Sequence, residues 1–110
     1  MSLSLNEYQE IAYTTAIYKD KILYPTLGLS GEAGEVAEKI KKILRDKGGI
    51  EKMTEEDRQA VAKEVGDVLW YCAAVSTDLG FHLEDIARIN IGKLLARKEA
   101  GTISGSGDNR

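Results

Sequence analysis

The chain has 110 residues, enough for one domain around one core, and its 43% hydrophobic content can fill that core. Its formal net charge of -3 comes from 18 acids and 15 bases spread along the sequence, which excludes a basic nucleic-acid arm. No apolar run approaches the roughly 20 residues of a membrane span, and Cys72, the only cysteine, excludes an intrachain disulfide. Residues Met1 to Glu7 lack the basic start and apolar stretch of a signal peptide, so a cytoplasmic location is expected.

Helix signals run through the chain and strand signals are almost absent, which predicts an all-α fold. A first helix is expected from Leu5 to about Lys19, because Ser4 and Glu7 form an S-x-x-E capping box and Leu3 can staple onto Tyr8. Pro25 suits the first turn of a second helix, whose stripe of Leu29, Ala33, Val36, Ala37, Ile40, Ile43 and Leu44 faces a core until Gly48 and Gly49 stop it. Thr54, followed by Glu55, Glu56 and Asp57, caps a third helix that ends at Gly80. Its apolar side carries Val61, Val65, Val68, Leu69, Cys72 and Val75, which makes Cys72 a buried small hydrophobe. A fourth helix, from about Leu83 to Lys98, turns Ile86, Ala87, Ile91, Leu94 and Leu95 inward, with His82 in the turn before it. Residues 101–110 are too rich in Gly and small polar residues to pack, and predict a flexible tail that orders on binding. The expectation is one domain over 1–110, a four-helix bundle with that tail.

Two short acidic motifs dominate the functional reading: Glu32-Ala-Gly-Glu35 on the second helix and Glu64-Val-Gly-Asp67 on the third. Residues three apart lie about 60° apart around a helix, so each motif points both acids the same way. Side-by-side packing then makes four carboxylates converge, which repel one another unless a cation sits among them. Oxygen-only ligands, without a Cys pair or a Glu-x-x-His step, favour Mg²⁺, with Mn²⁺ as the other hard ion. Glu32, Glu35, Lys39 and Lys42 share one sector beside the apolar stripe, and Glu64, Asp67 and Tyr71 share the equivalent sector opposite. A solvated acidic face is the competing explanation, and Lys39 and Lys42 also suit simple pairing with Glu35 or Glu38.

Each motif carries a glycine before its last acid, Gly34 and Gly66, at a cost of roughly 1 kcal/mol against alanine. A close backbone approach from another helix, in the same chain or a second copy, would explain both. On the fourth helix Asn90, Lys93 and Arg97 share a face suited to phosphate, with Arg97 offering a fork of donors and Lys93 a point charge. They suit an ordinary basic helix C-terminus equally well.

Taken in order, E-x-x-E, E-x-x-D and Asn90-x-x-Lys93-Leu94-x-x-Arg97 resemble the MazG-type nucleoside triphosphate pyrophosphohydrolases of the all-α NTP pyrophosphatase superfamily. The stretches Leu27 to Glu38 and Lys63 to Tyr71, and the ending Gly105 to Arg110, are similar too, so the likeness spans nearly the whole chain. The resemblance implies Mg²⁺-dependent cleavage between the α and β phosphates of a (deoxy)nucleoside triphosphate, giving the monophosphate and pyrophosphate, in nucleotide-pool house-cleaning. It implies a homodimer or a dimer of dimers. It makes Glu32, Glu35, Glu64 and Asp67 metal ligands, and Lys93 and Arg97 substrate contacts; Lys39 and Lys42 are added from helical position alone. In that chemistry Glu35 or Glu38 would be the general base, with Glu35 preferred because it belongs to the convergent set. Base recognition would use Tyr8, Gln9 and Tyr13 of the first helix, and Asp108, Asn109 and Arg110 would close over the nucleotide. The same motifs serve dUTP- or dCTP-selective and phosphoribosyl-ATP pyrophosphatases. A non-catalytic helical module, with Trp70 marking an interface, is the reading from another class.

Overall fold

The computed structural model describes residues 2–101. They form four α-helices: α1 (Leu5–Tyr13), α2 (Leu23–Lys47), α3 (Glu55–Asp78) and α4 (Leu83–Ala100), with a 3-10 turn at Ile50–Lys52. No strand occurs among the described residues. The expected tail, Arg110 included, lies outside them apart from Gly101.

The helix starts follow the capping chemistry. Glu7 N–H donates to Ser4 Oγ at 3.0 Å and Ser4 N–H to Glu7 Oε1 at 2.8 Å, the reciprocal box that opens α1. Thr54 and Asp57 repeat it at α3, at 3.1 and 3.0 Å. Gly48 closes α2 in the left-handed region at φ 85°, its N–H donating to Leu44 O at 2.9 Å.

α1 stops at Tyr13 rather than at Lys19. The hydroxyls of Thr14 and Thr15 donate to Ile11 O and Ala12 O at 2.6 and 2.7 Å, taking carbonyls that a further turn would use. Trp70 Nε1 adds a second claim on Ala12 O at 3.2 Å and also donates to Thr15 Oγ1 at 2.9 Å. Trp70 therefore docks inside the chain, against the end of α1.

The connection over residues 48–54 lays α2 beside α3, the most extensive helix pair in the molecule. α1 packs on α3 and α4; α4 meets α1 and α3 and makes no close approach to α2. The helices do not close into a tight bundle. The radius of gyration is 16.7 Å, against about 13 Å for a compact domain of about 100 residues. The buried apolar residues are Ala12, Ile43, Ala73, Ala74 and Leu83, with Pro25 fully enclosed. The expected inward stripe of α4 is only partly covered: Ile91 and Leu95 are more than half exposed, and Ile86 and Leu94 a little over a third. Val65 and Leu69 of α3 and Leu44 of α2 are likewise exposed within the single chain.

Candidate active site

The pairing of α2 with α3 brings the two acidic motifs together. One carboxylate oxygen from each of Glu32, Glu64 and Asp67 lies within 4.8 Å of the other two. Glu32 and Glu64 are half-buried and Asp67 is exposed. The Glu32 carboxyl titrates above its ordinary range, first because burial disfavours its charge, then because Asp67 and Glu64 add like charge and Glu35 contributes further. A hard cation contacting three oxygens at about 2.1 Å needs them no more than about 4.2 Å apart, so small side-chain rotations complete a ligand set. All-oxygen donors under mutual repulsion fit such an ion chemically.

Glu35 stands beside this trio on α2, exposed, and outside the set of mutually close oxygens. Glu38 is turned to Lys41, whose Nζ lies 3.0 Å from its Oε1, and that partner holds its carboxyl below the usual range. Lys39 reaches the site: its Nζ lies 3.9 Å from Glu64 Oε1. Lys39 also borders a cleft of about 530 Å³ shared with Glu64 and Lys63. Lys39 and Lys42 line a second cleft of about 220 Å³, which also holds the ion pair of Lys47 with Asp57.

Gln9 and Tyr13 of the first helix make structural hydrogen bonds. Gln9 is buried, and its amide is committed to structure: Nε2 donates to Thr77 Oγ1 at 2.9 Å and to Phe81 O at 3.0 Å, while Oε1 accepts from Leu83 N–H at 2.7 Å. It ties α1 to the α3–α4 turn. The Tyr13 hydroxyl donates to Asp78 Oδ1 at 2.6 Å and accepts from Lys21 Nζ at 2.7 Å. Burial first, and then the charge of Asp67, raises the Tyr8 phenol pKa. On α4 Asn90 and Lys93 are exposed and Arg97 is buried.

Three features of the site come from how its residues pack. A Cβ added at Gly28 would stand 2.1 Å from Tyr71 Cε1, so the missing side chain is what lets the Tyr71 ring lie over α2. Tyr71 sits one turn from Asp67 on α3, and Gly28 one turn from Glu32 on α2. That spacing of four is the signal that could have paired them. Tyr71 has a raised phenol pKa, from burial first, then Tyr24, with Glu32 and Asp67 adding to it. The third feature is Asp78, which accepts from the Tyr13 and Tyr18 hydroxyls and, at 2.9 Å, from the N–H of Ile22. Ile22 has φ 67°, a strained value for a β-branched residue, and this bond holds it where α2 begins.

Gly34 and Gly66 have open space where a Cβ would point, so no backbone among the described residues presses on either. Cys72 is half-buried, and burial raises its thiol pKa, as suits a packing residue.

An all-α domain with an acidic seam between two antiparallel helices is the class defined by fold and site. The family model described as "MazG nucleotide pyrophosphohydrolase domain" matches residues 24–102, which include the α2–α3 pair and α4. The chain belongs to the MazG nucleotide pyrophosphohydrolase family. It is also 46% identical over 111 aligned residues to the "Gene 37 protein" of Mycobacterium phage L5, covering 94% of this chain and 96% of that one. No solved structure matches it significantly. Among the described residues no helix is long and apolar enough to cross a membrane.

Proposed function

We propose that the protein is a Mg²⁺-dependent nucleoside triphosphate pyrophosphohydrolase, cleaving (deoxy)nucleoside triphosphates between the α and β phosphates to give monophosphate and pyrophosphate. The observation that carries this reading is the approach of Glu32, Glu64 and Asp67 oxygens to within 4.8 Å of one another, in a family of nucleotide pyrophosphohydrolases. These three residues hold the ion, with Mn²⁺ able to replace Mg²⁺, and Glu35 is the fourth acid of the set. When bound, the ion supplies charge neutralisation for the polyphosphate and makes water more acidic.

The chain's own residues do the rest. Glu35 accepts the proton of the attacking water; its exposed carboxylate beside the trio favours it over Glu38, which Lys41 keeps paired and weakly basic. Lys39, already drawn to Glu64, and Lys42 in the adjoining cleft offer positive charge to the phosphates. Asn90, Lys93 and Arg97 of α4 are further phosphate contacts; the expected contact from Arg110 lies outside the described residues. Gln9 remains a proposed substrate contact only through its unused carbonyl lone pair, since its amide already makes three hydrogen bonds within the chain.

Self-association belongs to this proposal. The exposed apolar residues of α4, with Val65 and Leu69 of α3, are the surface that a second copy would cover in a homodimer or homotetramer. The role in the cell is removal of unwanted nucleotides from the pool; dUTP- or dCTP-selective cleavage, or cleavage of phosphoribosyl-ATP, is a narrower form of the same chemistry. The test is an assay across ribo-, deoxyribo- and modified triphosphates with and without Mg²⁺, measuring pyrophosphate and orthophosphate. Mg²⁺-dependent pyrophosphate release is expected. Orthophosphate in its place would move the cleaved bond, and no release from any substrate would overturn the reading.

A further inference from the structure

Beside the acidic seam lies a group of aromatic rings that the preceding chemistry does not use. Tyr18 and Tyr24 stack with centroids 5.2 Å apart and planes 17° from parallel. Trp70 meets Tyr18 edge-on at 6.4 Å and Tyr71 edge-on at 5.0 Å. With Thr15 and Ile17 these rings line a cleft of about 310 Å³. Its walls are pre-set: the Tyr18 hydroxyl is held by Asp78 at 2.8 Å, and Trp70 Nε1 by Thr15 Oγ1 and Ala12 O. Those bonds use up polar ends and leave ring faces.

Helical spacing aligns the cleft with the acids. Tyr24, Gly28 and Glu32 follow one another at spacings of four along one side of α2. Tyr24 and Glu32 are therefore about 12 Å apart along the axis, at roughly 1.5 Å per residue. Midway, Tyr71 leans over Gly28, and on α3 it stands one turn from Asp67. A flat apolar group seated on the rings and an anionic chain reaching the seam would lie along this one line. Planar, polarisable and sequence-tolerant stacking on Tyr and Trp faces is how proteins hold nucleobases.

We propose that the Tyr18–Tyr24–Trp70–Tyr71 cleft is the nucleobase subsite of this protein, with Tyr24, half exposed, as its stacking platform. This rests on the reading that Glu32, Glu64 and Asp67 gather the polyphosphate. It places base recognition at the start of α2 and on α3. Ring stacking with so few unused donors predicts selection by base size and stacking strength more than by hydrogen-bond pattern.

Trp70 is the chain's only tryptophan, so its emission reports on this cleft alone. The full-length protein is titrated with AMP, GMP, CMP and UMP in chelator, with inorganic tripolyphosphate as the probe that lacks a base. Saturable change of Trp70 emission by at least one monophosphate, and none by tripolyphosphate, is expected. Tyr24→Leu should weaken that binding about tenfold and raise KM for the triphosphate similarly, while Tyr24→Phe keeps both. If Tyr24→Leu does not fold, Ile17→Glu decides, at a mouth position 94% exposed: its affinity falls or the assignment fails. An unresponsive Trp70 would overturn the proposal, as would equal responses to tripolyphosphate. A changed oligomeric state in Tyr24→Leu without any nucleotide response would assign the rings to a second copy and also overturn it. Because the titration needs neither ion nor turnover, a protein that binds monophosphate but cleaves no triphosphate refutes the pyrophosphohydrolase reading alone. One that cleaves, with Tyr24→Leu unchanged, refutes the subsite alone.

Discussion

Tyr71 lies against Gly28, where even a methyl group would stand 2.1 Å from its Cε1. The contact spans the α2–α3 seam one turn from Glu32 and Asp67, so it sets how closely the acids meet. Alanine there gains about 1 kcal/mol of helix propensity but must push the ring aside, and overpacking costs about 1–3 kcal/mol. Gly28→Ala is therefore expected to be neutral to destabilising by roughly 2 kcal/mol in urea unfolding. It should also weaken Mn²⁺ binding measured by calorimetry. Unchanged metal affinity would show that the ring does not position the acids.

Removing an acid from the seam should separate chemistry from folding. Asp67→Ala relieves like charge against Glu32 and is expected to lower activity by about 100-fold or more, since metal-assisted charge stabilisation is worth several kcal/mol. Its thermal midpoint should stay level or rise in metal-free buffer, because Asp67 adds to the repulsion felt by Glu32. Differential scanning calorimetry with EDTA and an assay with Mg²⁺ check the two halves.

Asp78 joins the end of α1, the connection and the start of α2 through three hydrogen bonds. Burial pushes its carboxyl pKa up, but the Ile22 N–H, the Tyr13 and Tyr18 hydroxyls and the Lys21 charge together outweigh that and hold it below the ordinary 3.8. A lowered folded-state value means that the stabilisation is complete above the ordinary range and is lost as pH falls through the lowered value. Asp78→Ala should cost roughly 2–3 kcal/mol at neutral pH, by analogy with bonds to a charged acceptor. Asp78→Asn should flatten the loss of stability below pH 3.8, as followed by circular dichroism.

Gly34 and Gly66 face open space among the described residues. Alanine at either should raise stability by about 1 kcal/mol, the helix-propensity difference, if that side meets only solvent. A fall in stability that depends on protein concentration, seen by analytical ultracentrifugation alongside unfolding, would instead place a second copy's backbone against these positions.

What the sequence by itself determined was local. Caps at Ser4 and Thr54, the stop at Gly48 and the 3.6-residue stripes are short-range hydrogen-bond and steric effects, so all four helix starts, and the meeting of three of the four acids between α2 and α3, were legible in order and spacing. The early end of α1 was not, because it depends on Trp70 and two threonine hydroxyls competing for carbonyls across the fold. The tertiary structure alone decided that Gln9 is spent on the α3–α4 turn. It also decided that the apolar stripe of α4 is only partly covered by the described residues. Each of these depends on which helix lies against which face, and residue spacing says how side chains share a face without saying what that face will meet.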